Sequence, residues 1–318
     1  MTIFINILIL IIGFVFLIKG ADIFVDGASS TARNFNLSKM LIGLTIVAFG
    51  TSAPEFAVSL KAMISGSKDM VLGNVIGSNI LNILLILGIC SIINPLRVKS
   101  NTVKKELPIT LMITVLLAVL FVDNLFDVNV VNQISRNDGI AILLFFMIFI
   151  YYLFSIMRNK VDEDEEEPPK YSMIKSIIFT ILGIVAVIIG SELVVTSATT
   201  LAKSFGVSER IISLTIVAFG TSLPELVTSI IATIKREQDI SVGNIIGSNI
   251  FNIGIVLGLP VALFGGIIPI EFSYLDIVGL IVSALLLFIF AGTGYKVTKK
   301  EGLAMLVTFI IYYTCILI

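Results

Sequence analysis

The stretch LTIVAFGTSAPE at residues 44–55 returns as LTIVAFGTSLPE at residues 214–225, with one letter changed. Further along, LGNVIGSNILNILLILG at 72–88 returns as VGNIIGSNIFNIGIVLG at 242–258, displaced by the same 170 positions. A constant displacement marks two copies of one unit, not scattered motifs. Weaker matches carry the repeat upstream at the same displacement: Gly20 with Gly190, Asp22 with Glu192, Ala28 with Ala198, Ala32 with Ala202, Phe35 with Phe205 and Ser38 with Ser208.

Composition sets the solvent in which these copies fold. The chain is 57% hydrophobic and 14% charged, with a mean hydropathy of +1.08, whereas a soluble domain is about 25% charged. It is built for lipid. Its two cysteines, Cys90 and Cys315, lie in separate apolar segments, so neither a disulfide framework nor a CxxC metal site is available. Histidine is absent, which removes imidazole ligands, histidine proton relays and every Ser-His or Cys-His nucleophile. The first apolar run, residues 3–18, has no positive region ahead of it and no small-residue cleavage site behind it, so it reads as a retained helix and not a signal peptide.

Crossing about 30 Å of hydrocarbon takes about 20 apolar residues. Dividing the chain at its polar clusters yields ten segments: 2–29, 38–65, 70–93, 106–122, 139–157, 171–200, 208–234, 240–264, 273–290 and 301–318. Basic residues alternate between the connections, fifteen in the odd-numbered loops against five in the even ones and their flanks. The positive-inside rule then puts the odd loops in the cytoplasm and both termini outside. Five segments separate the two copies, and an odd number turns the second copy over relative to the first. The expectation is an all-α, multi-pass protein of the cell membrane with ten transmembrane helices in two inverted five-helix repeats, residues 1–160 and 171–318. Inverted repeats are typical of secondary transporters, with the site near the midplane between them. The acidic linker at 161–170, VDEDEEEPPK, reads as a solvated, self-repelling connection.

A carboxylate inside a spanning helix costs about 3 kcal/mol on insertion scales, so Glu55 and Glu225 require partners. No basic residue lies in the central thirds of the segments. On a helix Thr51 and Glu55 share a face with Ser52 beside them, and Thr221, Ser222 and Glu225 repeat the set. Pro54 and Pro224 lack the N–H that would reach Gly50 and Gly220, so both helices should kink, loosening carbonyls such as those of Ala48 and Ala218. Ser78 with Asn82 and Ser248 with Asn252 are again four apart. Such hydroxyls and amides also serve as packing residues, and Gly43, Gly73, Gly77, Gly243 and Gly247 read as packing positions. Carboxylates, hydroxyls, amide oxygens and loose carbonyls together suit a hard cation, calcium or sodium, better than magnesium or a transition metal.

GTSAPE and GTSLPE, with GSNILN at 77–82 and GSNIFN at 247–252, resemble the two alpha-repeats of the sodium/calcium exchangers, within the cation/calcium antiporter superfamily. The resemblance covers essentially the whole chain. It implies a calcium site shared by Glu55, Glu225, Thr51 and Thr221. It also implies flanking sodium sites, one using Ala48, Thr51, Ser78, Ser222 and Glu55, the other Ala218, Thr221, Ser248, Ser52 and Glu225, with a central polar position at Asn82 and Asn252. Potassium-dependent relatives carry aspartate where this chain has Asn252, and calcium/proton relatives usually show a GN-type motif in place of GTS. The expected activity is exchange of about three sodium ions for one calcium ion by alternating access, with α-helices one and six sliding against the rest. No cofactor, no nucleic acid and no obligate protein partner is expected; the partners are the two ions and the bilayer. The alternatives are a calcium/proton antiporter using the same glutamates and, in another class, a cation channel. An enzyme would lack a nucleophile with a base.

Overall fold

A computed structural model describes residues 2–122, 133–158, 168–207, 218–266 and 274–317. The linker residues 161–167, the start of the seventh expected segment and part of the ninth lie outside the described residues. Six described helices are long and apolar enough to cross a membrane, or seven when the bent pair α2 (Lys39–Thr51) and α3 (Ala53–Ser65) counts as one span. The six are α1 (Thr2–Asn34), α4 (Met70–Ile93), α6 (Arg136–Arg158), α7 (Met173–Ser204), α10 (Gln238–Phe264) and α11 (Tyr274–Gly292). Shorter helices complete the set: α5 (Leu107–Phe121), α8 (Ala218–Thr221), α9 (Leu223–Ile234) and α12 (Lys299–Leu317). Those six or seven spans are fewer than ten because α5 is only 15 residues long, α9 begins after the undescribed stretch, and α12 opens on Lys299, Lys300 and Glu301.

Two helices form the centre. The most apolar windows of α4 and α10 are 72% and 83% buried, against 17% for α1 and 22% for α6, whose apolar faces are left for lipid. Both central helices carry the GSN motif, and both widen into π-helix just after it, over Leu81–Leu87 and Asn252–Leu257. A π-turn inside an α-helix strains the hydrogen-bond ladder and is frequent at functional sites.

The glycines expected to pack divide in two. Gly43 and Gly243 approach so closely that a Cβ on either would lie 3.1 Å from the other's Cα, and one on Gly247 would sit 2.6 Å from the Ala48 Cβ. Around Gly73 and Gly77 a Cβ would meet nothing within 4 Å among the described residues.

At the periphery α1 and α7 run antiparallel, Gly13 facing Gly190, Gly20 facing Gly183, and Gly27 facing Thr180. A Cβ on Gly27 would come within 2.5 Å of the Thr180 nitrogen, and one on Gly183 equally close to the Phe24 nitrogen. Only glycine permits that approach. One end of α1 is tied to the core by charge: Lys235, just past α9, reaches Asp22 and Asp26 at 2.7 Å each, and Lys170 reaches Asp26 at 2.6 Å.

Two acid–phenol pairs brace the outer helices. The Tyr152 hydroxyl on α6 donates to Glu106 at 2.5 Å, and Tyr312 on α12 donates to Asp276 at 2.8 Å. Glu106 and Asp276 are themselves 170 apart. At the loop end a two-stranded ladder joins β1 (Leu96–Arg97) to β2 (Lys296–Val297), antiparallel, with Arg97 opposite Lys296.

Candidate cation site

The local sequence makes a break where the carboxylates sit. Ser52 and Ser222 leave helical geometry, with ψ of 4° and 7°, and α2 meets α3 at a 45° bend. The break falls two residues ahead of each proline, so Pro54 and Pro224 occupy the first turn of the following helix, where a missing N–H costs nothing. Proline therefore starts the second helix cleanly instead of kinking a continuous one. The Gly220 carbonyl that Pro224 leaves without a donor is taken by the Ser191 hydroxyl of α7 at 2.8 Å. Ala48 does not offer a free carbonyl in the way the proline argument anticipated: it accepts the Ser52 N–H at 3.0 Å and the Thr51 hydroxyl at 3.3 Å. Ala218 opens α8 at the equivalent place.

Glu55 and Glu225 enter the first turns of α3 and α9, 1% and 0% exposed. Each is held by the other copy. Ser52 donates to the Glu225 Oε1 at 3.0 Å, and Ser222 donates to the Glu55 Oε1 at 3.2 Å. The Ser222 and Ser78 hydroxyls lie 3.2 Å apart, and Ser248 donates to the Glu225 Oε1 at 3.4 Å. The Thr51 hydroxyl lies 3.0 Å from the Asn244 Oδ1, and the Thr221 hydroxyl 3.5 Å from the Asn74 Oδ1. At the crossing of α4 and α10, Asn82 donates to the Asn249 Oδ1 at 3.1 Å and Asn252 to the Asn79 Oδ1 at 3.0 Å. Asn79 and Asn249 exchange side chain-to-backbone bonds at 3.2 and 3.3 Å. The Ser52–Glu225, Thr51–Asn244 and Asn82–Asn249 contacts each become their counterpart, Ser222–Glu55, Thr221–Asn74 and Asn252–Asn79, when 170 is added to one partner and subtracted from the other. That reciprocity is the signature of a two-fold axis.

Ten of the twelve expected residues thus take part in these networks, nine of them buried and Thr221 half-buried, and the two alanines lie three residues ahead of the threonines. The expectation omitted Asn74, Asn79, Asn244 and Asn249, although all four stand inside the quoted repeats. Ser59 and Ser229, which accept from Asn74 and Asn244 at 3.0 Å each, were also omitted. Thr228, three residues beyond Glu225 on α9 and buried, has no counterpart, since the first copy has Val58 there.

The oxygens left over decide what the cluster can do. Among the described residues, six buried side-chain oxygens take part in no hydrogen bond: Glu55 Oε2, Glu225 Oε2, Asn82 Oδ1, Asn252 Oδ1, Thr228 Oγ1 and, elsewhere, Glu106 Oε2. Buried acceptors without donors are costly. Neither Glu55 nor Glu225 forms an ion pair with a lysine or arginine among the described residues. No group of three or more His, Cys, Asp or Glu suited to a metal occurs there either, so the cluster is two carboxylates among neutral oxygens. Such a set fits a hard cation that sheds its water for oxygen ligands.

Comparison with known proteins agrees. The family described as "Sodium/calcium exchanger protein" matches residues 5–155 and 175–318. Sodium/calcium exchanger MaX1 of Methanosarcina acetivorans is 32% identical, over 97% of both chains. The inner membrane protein YrbG of Escherichia coli K12 is 37% identical, over 92% of this chain and 90% of its own. A structure of the sodium-calcium exchanger NCX_Mj, soaked with 10 mM Na+ and no Ca2+, superposes with a TM-score of 0.85 at 33% identity, covering 98% of this chain and 99% of that one.

Proposed function

Because this chain belongs to the sodium/calcium exchanger family, and so to the multi-pass cation/calcium antiporters and not to the enzymes, we propose that it exchanges sodium for calcium. The site residues are Glu55 and Glu225 with Thr51, Thr221, Ser52, Ser222, Ser78, Ser248, Asn82 and Asn252. The observation that carries the reading is the set of four unpartnered oxygens on two carboxylates and two amides, contributed by α3, α4, α9 and α10. Calcium, needing six to eight oxygens at about 2.3–2.6 Å, would draw on them together.

The ratio of about three sodium ions to one calcium ion is carried over from the family resemblance, and net charge follows from it: two carboxylates neutralise one calcium ion, whereas about three sodium ions leave a single positive charge behind. Ten spans in two inverted repeats, 1–160 and 171–318, with both termini outside and the linker inside, is the topology we assign. The antiparallel α1–α7 crossing, the reciprocal hydrogen bonds and the paired acid–phenol braces support inversion. Since α1 and α7 contribute no ligand oxygen and meet through glycines, their sliding is the movement that opens the site to each side in turn.

Radiolabelled calcium flux in proteoliposomes tests the assignment, with sodium, potassium and pH gradients imposed one at a time. Sodium alone should drive calcium. A flux driven by the pH gradient and indifferent to sodium would hand the glutamates to protons and overturn the proposal.

A further inference from the structure

A second feature lies far from the glutamates, at the end of the molecule where residues 94–98, 235–239 and 293–296 meet. A cleft of about 520 Å³ there is walled by five cations, Lys39, Arg97, Lys99, Arg236 and Lys296, against two carboxylates, Glu237 and Asp239. The carboxylates are spoken for: Lys39 pairs with Glu237 at 2.9 Å and Lys99 with Asp239 at 2.7 Å. Arg97, Arg236 and Lys296 have no ion-pair partner among the described residues, and all three are exposed.

The backbone holds these three together against their repulsion. Arg97 and Lys296 stand directly opposite one another in the β1–β2 ladder, an arrangement of like charges that destabilises a strand pair. Gln238 clamps the ladder from the third segment, accepting the Arg97 N–H at 3.0 Å and donating to the Pro95 carbonyl at 3.1 Å. Arg236, at φ of +63°, is the left-handed residue that ends α9: its N–H bonds the Thr233 carbonyl at 3.1 Å and the Glu237 N–H bonds the Ala232 carbonyl at 2.8 Å, so the helix end itself fixes Arg236 beside the ladder. The helix end and the ladder together concentrate uncompensated positive charge in a concave site, which suits an anion.

We infer that this cleft binds a phosphate-bearing anion, and its depth points to the headgroup of an acidic phospholipid. Ile93 and Ile234 end the helices that lead into the cleft and are 42% and 58% exposed, and Tyr295 on its wall is 45% exposed. Apolar side chains open to lipid on one side and clustered basic residues on the other mark the level of the headgroups, where tyrosine also gathers. A phosphodiester there meets donors from three separate loops. Basic pockets of this kind between membrane helices take anionic headgroups.

The experiment is native mass spectrometry of the full chain in detergent, titrated with short-chain phosphatidylglycerol, then repeated with inorganic phosphate as competitor. Each basic residue near an anionic headgroup is worth about fivefold in affinity, so Arg97→Gln, Arg236→Gln and Lys296→Gln combined should weaken lipid binding on the order of a hundredfold. Lys104→Gln, Lys105→Gln and Lys300→Gln combined removes equal charge from neighbouring exposed positions outside the cleft and should leave binding almost unchanged. Where the first combination misfolds, Arg236→Gly with Lys296→Gln suits the left-handed φ and should still lose about thirtyfold. Failure of inorganic phosphate to compete identifies the lipid headgroup, and full competition identifies a soluble phosphate as the ligand of the same cleft. Wild-type affinity in the cleft variants, or equal losses in the cleft and control variants, overturns the inference. The readout is binding, so it stands whatever ion the protein exchanges.

Discussion

Replacing Glu55 by glutamine separates the site's charge from its shape. The carbonyl oxygen of the new amide still accepts the Ser222 hydroxyl that now reaches the Glu55 Oε1 at 3.2 Å, so the link between the two copies survives. What changes is the unpartnered Oε2, which becomes an NH2 turned toward the place of the cation. The protein without ions also loses a buried like charge facing Glu225, so its fold should be no less stable than the wild type. Calcium loses one of two neutralising charges in a site that is 1% exposed, and removing one partner of a buried charge pair costs about 3–5 kcal/mol. Taking the lower bound, affinity falls about 150-fold. Thermal unfolding reads this directly, because a ligand at about a hundred times its Kd stabilises the native state by about 2.7 kcal/mol. At that same calcium concentration the variant would gain only about 0.3 kcal/mol. Calcium should therefore raise the wild-type Tm by several degrees and leave that of Glu55→Gln nearly still. An undiminished calcium-dependent rise in the variant would refute the assignment of Oε2 as a ligand.

Ser191→Ala withdraws the donor that satisfies the Gly220 carbonyl, and a buried unpaired carbonyl costs about 1–3 kcal/mol; a Tm equal to wild type would mean that water or another donor fills the gap. With Cys90 and Cys315 replaced, single cysteines in Ser67→Cys and Ser100→Cys should react with an impermeant thiol reagent from opposite sides of the membrane, Ser67→Cys from outside. Same-side labelling would break the topology. Exchange should be electrogenic: about 2.3 kcal/mol per charge per 100 mV is added to the sodium gradient, so an inside-negative diffusion potential should speed sodium entry coupled to calcium exit, and indifference to that potential would make the ratio neutral.

Much of the site was legible because the chain states it twice. Glu55 and Glu225 stood out as carboxylates in apolar segments, and the common displacement tied them to the serines and asparagines. Three features escaped for physical reasons. The π-helices at Leu81–Leu87 and Asn252–Leu257 leave no mark in residue periodicity, so an α-helical spacing picked Ser78 with Asn82 and passed over Asn79, which sits between them and bonds across to α10. The bend came at Ser52, where the chain turns, and Pro54 follows as a helix-starting residue; proline alone does not say on which side of itself a helix breaks. The β1–β2 ladder is two residues long on each strand, too short to show alternation.

The crossed serines have one more consequence. Ser52 serves Glu225 and Ser222 serves Glu55, so each copy of the motif furnishes a carboxylate that the other copy's serine helps to hold in place. Half of the polypeptide is therefore not half of a transporter. A shorter chain carrying one copy could assemble the same contacts only by pairing with a second molecule. Joining the two in a single chain makes that pairing permanent and leaves either copy free to change alone, so that Thr228 stands where the other copy has Val58.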